Sequence, residues 1–309
     1  MGTPTGQIWG VEIGGSKLQI LVLQNRVIVD RWSRKLQGPA DAPIIRQHVA
    51  EGLAELLRNC RPAAVGVGFG GPVNRHTGRI DRSHQIAGWE GFSIRDWIAG
   101  IVACPVFVEN DSNVAALAEA TVGAGAGLDP VLYFNMGSGV GGGLVVGGRI
   151  YHGAPPGEVE FGHLRLRPGG PFVEDNCSGW AVDRLIAQEM AKHPQSRLTA
   201  LCAGMTRGQA IRLRPAIEAG DELAQRIVEQ VAANIGFVLS HAIHLFHPAV
   251  AVMGGGLSLV GEPLRAAIEW HAHAELMSSF LPGPPVKLAQ VGEDAVPVGA
   301  AINAEYQAS

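Results

Sequence analysis

The sequence predicts an α/β protein made of two related lobes, each a mostly parallel sheet covered by helices and opened by an antiparallel meander. Three observations carry that expectation. Residues 8–28 (IWGVEIGGSKLQILVLQNRVI) and 131–151 (VLYFNMGSGVGGGLVVGGRIY) match at an offset of 123, with Gly14 on Gly137, Leu21 on Leu144, Val22 on Val145 and Arg26 on Arg149. Behind each copy, helical stripes alternate with buried apolar runs. Finally, 42 of the 309 residues are glycine, about twice the usual ~7%, and they cluster between apolar runs as turns and close backbone approaches.

In the first copy, a strand, turn, strand, turn, strand series over 8–28 leads to a helix near Asp41–Cys60. Asp41 is its expected N-cap, and Ile45, Val49, Leu53, Leu56 and Leu57 form its apolar stripe. A buried strand at Ala63–Gly68 follows, then a strand at Pro105–Glu109 and a helix over Asn113–Val122 stopped by Gly123. In the second copy, helices are expected near Gly179–Ala191, Arg207–Ala219 and Glu222–His247. After them come a strand at Ala249–Met253, a helix around Glu262–Ser279, a strand at Val286–Val291 and a last helix after Pro297. Residues 1–109 with a C-terminal helix at about 295–309 make the expected small lobe, and 110–294 the large one. A cleft between two such lobes is the usual place for a ligand.

Composition excludes several function classes. Apolar residues make up 47% and charged residues 17%, which suits a buried core rather than disorder. The net charge is −4 with no basic run, so no nucleic-acid surface is expected. Cys60, Cys104, Cys177 and Cys202 form no CxxC pair and read as free thiols of a reducing, cytoplasmic compartment; no signal region opens the chain. Val231–Gly261 lacks Asp, Glu, Lys and Arg, but its histidines, Pro248 and three consecutive glycines make it a buried helix and strand rather than a membrane span.

The glycine loops are not the common nucleotide motifs. Gly66–Gly71 and Gly137–Gly142 both fit GxGxxG, yet the first runs into Pro72 and the second into a strand, where a dinucleotide fingerprint needs a helix. Gly14-Gly15-Ser16-Lys17 has the wrong order for a P-loop. What remains is a pair of hairpin bends, Gly14–Ser16 and Gly137–Gly139, whose bare N–H groups and Ser16 and Ser138 hydroxyls suit phosphate oxygens. Gly254-Gly255-Gly256, between a strand and a helix, would suit a flat base or ribose. Asp111, where an apolar strand meets a helix, reads either as an N-cap or as a base for a hydroxyl. Asn110 offers both a donor and an acceptor, and Glu160 and Glu174 could each accept from adjacent hydroxyls; His163 alone reads as structural.

Together these segments resemble the ROK sugar kinases (repressor, open reading frame, kinase) over nearly the whole chain. Gly10 to Lys17 (GVEIGGSK) is similar to their first phosphate loop, Glu109 to Ala116 (ENDSNVAA) to the catalytic segment, and Gly137 to Gly148 to the second phosphate loop. Glu160-Phe161-Gly162-His163 is similar to the sugar-binding element, Asn176–Val182 to the stretch after the third sugar carboxylate, and Gly254–Gly256 to the adenosine loop. The resemblance implies two actin-like (ribonuclease H-like) lobes and ATP-dependent phosphorylation of a hexose, glucose first, in a homodimer. By resemblance Asp111 is the general base, and Asn110, Glu160, His163 and Glu174 with Gly70-Gly71 hold the sugar. Glu12, Gly14, Gly15, Ser16 and Lys17, with Gly137, Ser138, Gly139 and Gly254–Gly256, hold ATP, and Glu12 helps hold Mg²⁺.

Two departures stand out. The family usually has Asp where this chain has Glu12. Its Gly-His is also usually followed by a CxCGxxGC run that completes a zinc site, whereas Leu164–Val173 reads LRLRPGGPFV. A histidine without three cysteine partners cannot close a tetrahedral site. No structural zinc is therefore expected, with Pro168, Pro171 and local packing stiffening the loop. The competing readings are a kinase for fructose, allose, mannose or an N-acylhexosamine, a sugar-responsive regulator, and a silent sugar-binding protein. A regulator needs a helix-turn-helix ahead of the first phosphate strand, for which a start near residue 8 leaves no room. The retained Asn110-Asp111 and both bends argue against a silent protein.

Overall fold

The computed structural model describes residues 6–15, 17–36, 41–80, 88–154 and 159–309. The chain folds as two compact units: Met1–Val122 with His152–Glu158 and Glu293–Ser309, and Gly123–Tyr151 with Val159–Gly292.

In the first unit the expected meander is β1 (Ile8–Ile13), β2 (Lys17–Gln24) and β3 (Val27–Lys35), all antiparallel. Asn25 and Arg26 turn β2 into β3, both at positive φ (51° and 63°), as a two-residue hairpin demands. Helix α1 (Ala42–Leu56) starts at Asp41, whose side chain accepts from the Ile44 N–H at 3.1 Å, and it buries Ile45, Val49, Leu53 and Leu56. Next come β4 (Ala64–Phe69), a small hairpin of β5 (Val73–Asn74) and β6 (Arg79–Ile80), and α2 (Ile94–Val102). They are followed by β7 (Val106–Asn110) and α3 (Asp111–Val122). The strands β1, β4 and β7 are parallel, in the sheet order β3-β2-β1-β4-β7.

The second unit repeats the plan. Its meander is β8 (Val131–Met136), β9 (Val140–Val146) and β10 (Arg149–Ile150). Both ends of β8 fall at the ends of β1 displaced by the offset of 123. Helices α4 (Val173–Cys177), α5 (Gly179–Met190), α6 (Arg197–Leu201), α7 (Leu213–Glu218) and α8 (Glu222–Phe246) lead to β11 (Val250–Gly254). Then come α9 (Glu262–Ala274) and β12 (Val286–Leu288), giving the order β10-β9-β8-β11-β12 with β8, β11 and β12 parallel. The last helix, α10 (Ala295–Ala308), belongs to the first unit.

Close backbone packing explains much of the glycine. A Cβ on Gly10 would lie 1.7 Å from the Pro297 carbonyl oxygen, and one on Gly66 would lie 1.8 Å from that of Ala300. Helix α10 therefore rests directly on the backbone of β1 and β4, and Gly299 lets it meet α3 just as closely. This packing groups α3 with the first unit, although on sequence grounds the second lobe is expected from residue 110.

Other boundaries shift for local reasons. The helix expected over 207–219 is a 3-10 turn at Gln209–Arg212 followed by α7, since Gly208 sits at φ 74° and Pro215 has no N–H to donate. Helix α9 ends at Ala274, with a separate 3-10 turn at Ser278–Phe280. Helix α10 starts two residues before Pro297, which occupies a first-turn position where a missing N–H costs little. Among the described residues no helix is long and apolar enough to cross a membrane.

Candidate active site

In the first unit Ile13, Phe69 and Asn110 lie side by side in the register of β1, β4 and β7. The residues that follow them therefore leave the sheet at one edge, its carboxyl end, where α/β sheets place ligands. Gly14 donates its N–H to the Lys17 carbonyl at 3.2 Å and closes the first bend; Gly15 is exposed, and Ser16 lies outside the described residues. Gly70 donates to the Ile13 carbonyl at 3.3 Å, and a Cβ on Gly70 would stand 3.2 Å from Asp111 Oδ2. Gly71 offers its carbonyl to Asn110 Nδ2 at 3.3 Å.

The capping role in this segment falls to Asn110. Its Oδ1 accepts from the N–H groups of Ser112 (2.9 Å) and Asn113 (3.2 Å). Asp111 is thereby the first helical residue, half-buried, where the positive end of the helix favours a carboxylate. Its Oδ1 accepts from the Ser112 N–H at 2.7 Å.

Two charged groups near this edge carry no signal in the sequence. Glu109 is buried; its Oε1 accepts from Asn110 N–H (2.9 Å) and Asn113 Nδ2 (3.1 Å), and its Oε2 lies 2.7 Å from His152 Nε2. Burial pushes the Glu109 carboxyl up, but the bonds and charge supplied by His152, with those of Asn113 and Asn110, more than cancel that and hold it below the usual carboxylate range. Asp294 is held by Gln19 Nε2 and, at 3.0 Å, by Arg31 Nη2.

Glu12 behaves differently. Burial pushes its carboxyl up to about 7, against the pull of Lys17, with Asp111 and Asp294 adding repulsion. Lys17 Nζ lies 3.1 Å from Oε2 without hydrogen-bond alignment, and donates instead to the Glu293 carbonyl at 2.8 Å. With Asp111 and Asp294 both repelling it, this largely buried carboxylate has one lysine set against three acidic groups. Mg²⁺ fits such a site, because it takes one or two carboxylates and completes its shell with phosphate oxygens and water.

In the second unit β8 and β11 end together, Asn135 opposite Gly254. The Gly137–Gly139 bend is closed by the Gly137 N–H on the Gly139 carbonyl (2.9 Å) and tied by the Gly179 N–H to Gly137 O (2.7 Å), with Ser138 exposed at its tip. Gly255, at φ 80°, lies so close that a Cβ would stand 2.6 Å from the Met136 backbone, whereas Gly256 faces open space. Glu174, in the first turn of α4, accepts from the Val140 N–H at 2.8 Å. Glu160 and His163 flank a short 3-10 turn at Phe161–His163 anchored by buried Phe161, which stacks on Phe134 with centroids 5.4 Å apart. Their side chains are 58% and 59% exposed, with Oε2 and Nδ1 3.1 Å apart.

Zinc does not fit this loop. Leu164–Val173 contains no cysteine, and the ring neighbour of His163 is Phe172. Among the described residues no group of three or more His, Cys, Asp or Glu side chains is arranged to hold a metal ion.

A family model described as ROK family matches residues 8–306. The chain is 29% identical over 305 residues to the glucokinase of Halalkalibacterium halodurans, covering 94% of this chain and 92% of that protein. Among solved structures it is similar to a ROK family glucokinase from Streptomyces griseus in complex with glucose and AMPPNP. The TM-score there is 0.86 at 29% identity, over 97% of this chain and 100% of that one. A ROK family transcriptional regulator, a homolog of the E. coli MLC protein, has the same TM-score of 0.86 at 20% identity, over 99% of this chain and 80% of that one. That second likeness is one of fold alone.

Proposed function

The chain belongs to the ROK family, and from that premise we propose that it transfers the γ-phosphoryl group of ATP to the primary hydroxyl of a hexose, glucose first, with Asp111 as general base. The observation that carries this reading is the setting of Asp111. Asn110 satisfies the helix start, so the aspartate is not needed as the cap, and its Oδ2 faces the gap left by the missing side chain of Gly70. A carboxylate so held can take the proton of an attacking hydroxyl.

The other roles follow from residue chemistry. Asn110, Gly70-Gly71, Glu160, His163 and Glu174 would hold the sugar hydroxyls, each carboxylate accepting and the amide doing both. The bends at Gly14–Ser16 and Gly137–Gly139 would take phosphate oxygens, with Lys17 beside the first and Gly254–Gly256 for the adenosine. Mg²⁺, when bound with ATP, neutralises phosphate charge, and Glu12 is the carboxylate that would hold it. Because phosphoryl transfer asks mainly for alignment and charge compensation, these residues need only hold and orient, apart from the single proton moved at Asp111. The cysteines are all free, which suits a cytoplasmic setting.

The test is a panel of hexoses with ATP and Mg²⁺, read as sugar-dependent ADP release. Glucose is expected to give the highest kcat/KM. A relative from Listeria monocytogenes, 28% identical over 258 residues, is named a β-glucoside kinase, so a β-glucoside belongs in the panel. ADP release that no sugar stimulates would overturn the reading.

A further inference from the structure

The loop between His163 and Glu174 is ordered by a device that contains no metal. Its arms pair as a short ladder, with the Val173 N–H on the Leu164 carbonyl (2.9 Å), the Leu166 N–H on the Pro171 carbonyl (3.1 Å), and Arg165 bridged to Phe172. A tight turn joins the arms, closed by the Gly170 N–H on the Arg167 carbonyl at 2.9 Å with Gly169 at φ 65°. The guanidinium carbon of Arg165 stands 4.1 Å from the centre of the Phe172 ring, and Arg165 Nη1 also donates to the Gly170 carbonyl. The His163 ring meets the same phenyl edge-on, centroids 5.6 Å apart at 65°. Phe172 is half-buried and belongs to neither hydrophobic cluster of the molecule.

We propose that Phe172 is a positioning residue: gripped by Arg165 and facing His163, it fixes the Glu160–His163 pair and the start of α4 so that sugar is bound without zinc. A contact as exposed as that between Glu160 and His163 orders itself little. A phenyl ring adds a rigid, wide contact, and a guanidinium over its face adds electrostatic attraction. Phe172 also leads into the helix that carries Glu174, its N–H donating to Asp175 Oδ2 at 2.9 Å. One residue therefore links both ends of the loop, its ring meeting His163 and its backbone N–H the first turn of α4. The inference rests on the reading of the chain as a hexose kinase.

The experiment compares wild type, Phe172→Leu, Phe172→Tyr and Arg165→Met for glucose KM, ATP KM, kcat and melting temperature, with a zinc-selective chelator in excess Mg²⁺ and with added zinc. Wild-type turnover is expected to be indifferent to chelator and zinc. Phe172→Leu should raise the glucose KM about tenfold with the ATP KM unchanged, and Phe172→Tyr should restore it. Arg165→Met, an exposed change, should raise it less, and it tests the same clasp if Phe172→Leu fails to fold. A wild-type glucose KM in both Phe172→Leu and Arg165→Met would overturn the proposal. So would an equal rise in both KM values, or wild-type turnover lost on chelation. Absence of turnover on every sugar in wild type would instead sink the kinase reading, and this inference with it.

Discussion

The two sheets share one strand order, yet their carboxyl edges hold charge in opposite ways. At the first, Glu109 is buried and tied to three partners, and Glu12 is largely buried beside Lys17 with Asp111 and Asp294 close by. At the second, Glu160 and His163 stand more than half exposed on a loop, and only Glu174 is tied to the sheet. The difference teaches that topology fixes where loops leave a sheet, while burial decides how firmly their charges are set beforehand. Groups at the first edge are held by the fold; those at the second depend on their loop.

The largest expected effect is at the first edge. Asp111→Ala should lower kcat by about 10²–10⁴-fold while glucose binding stays near wild type, read by steady-state kinetics and calorimetry. An unchanged kcat would remove the base from the account. Next is His152→Ala, which leaves Glu109 Oε2 buried without its 2.7 Å partner and should cost about 1–3 kcal/mol in denaturant unfolding. The pair also has a pH signature. Because the folded Glu109 carboxyl lies below its ordinary 4.5, its stabilisation is complete above that pH and is lost as pH falls through the depressed folded value. Melting temperatures of wild type and Glu109→Gln should therefore converge on acidification below 4.5; a constant gap would mean the pair contributes no charge-dependent stability.

At the second edge smaller effects are expected. A Cβ on Gly139 would fall 2.4 Å from Glu174 Oε2, whereas one on Gly137 meets nothing within 4 Å. Gly139→Ala should loosen the Glu174–Val140 bond, cost about 1 kcal/mol and raise the sugar KM, while Gly137→Ala should leave stability unchanged. Equal effects from the two would mean that Glu174 does not lean on the bend. Away from both edges, the exposed Arg214–Glu218 pair (59% and 62% exposed) sets the floor. Arg214→Ala should change stability by less than about 0.5 kcal/mol.

The duplicated plan is legible because two apolar meanders with glycine at matching turns leave a mark on the chain, and β1 and β8 lie where the offset puts them. The short helices α2, α4 and α6 escape a sequence reading because few turns give little periodicity, although Ser93 and Ser196 mark two of their starts. Asp111 and Asn110 stand out in the sequence, but their division of labour does not: which of two adjacent polar residues caps a helix depends on backbone angles. Glu109 with His152 is invisible there, since 43 residues separate them and only folding joins them. The Arg165–Phe172–His163 clasp is equally hidden, because the loop's composition shows what it lacks rather than what replaces it.

The most direct test of the central claim is the identity of the product. Wild-type protein incubated with ATP, Mg²⁺ and glucose should give ADP and a sugar whose phosphorus, by NMR, is coupled to the methylene protons of the primary carbon, and Asp111→Asn should give almost none. Phosphate on another hydroxyl, or ADP and free phosphate with the sugar unchanged, would contradict it.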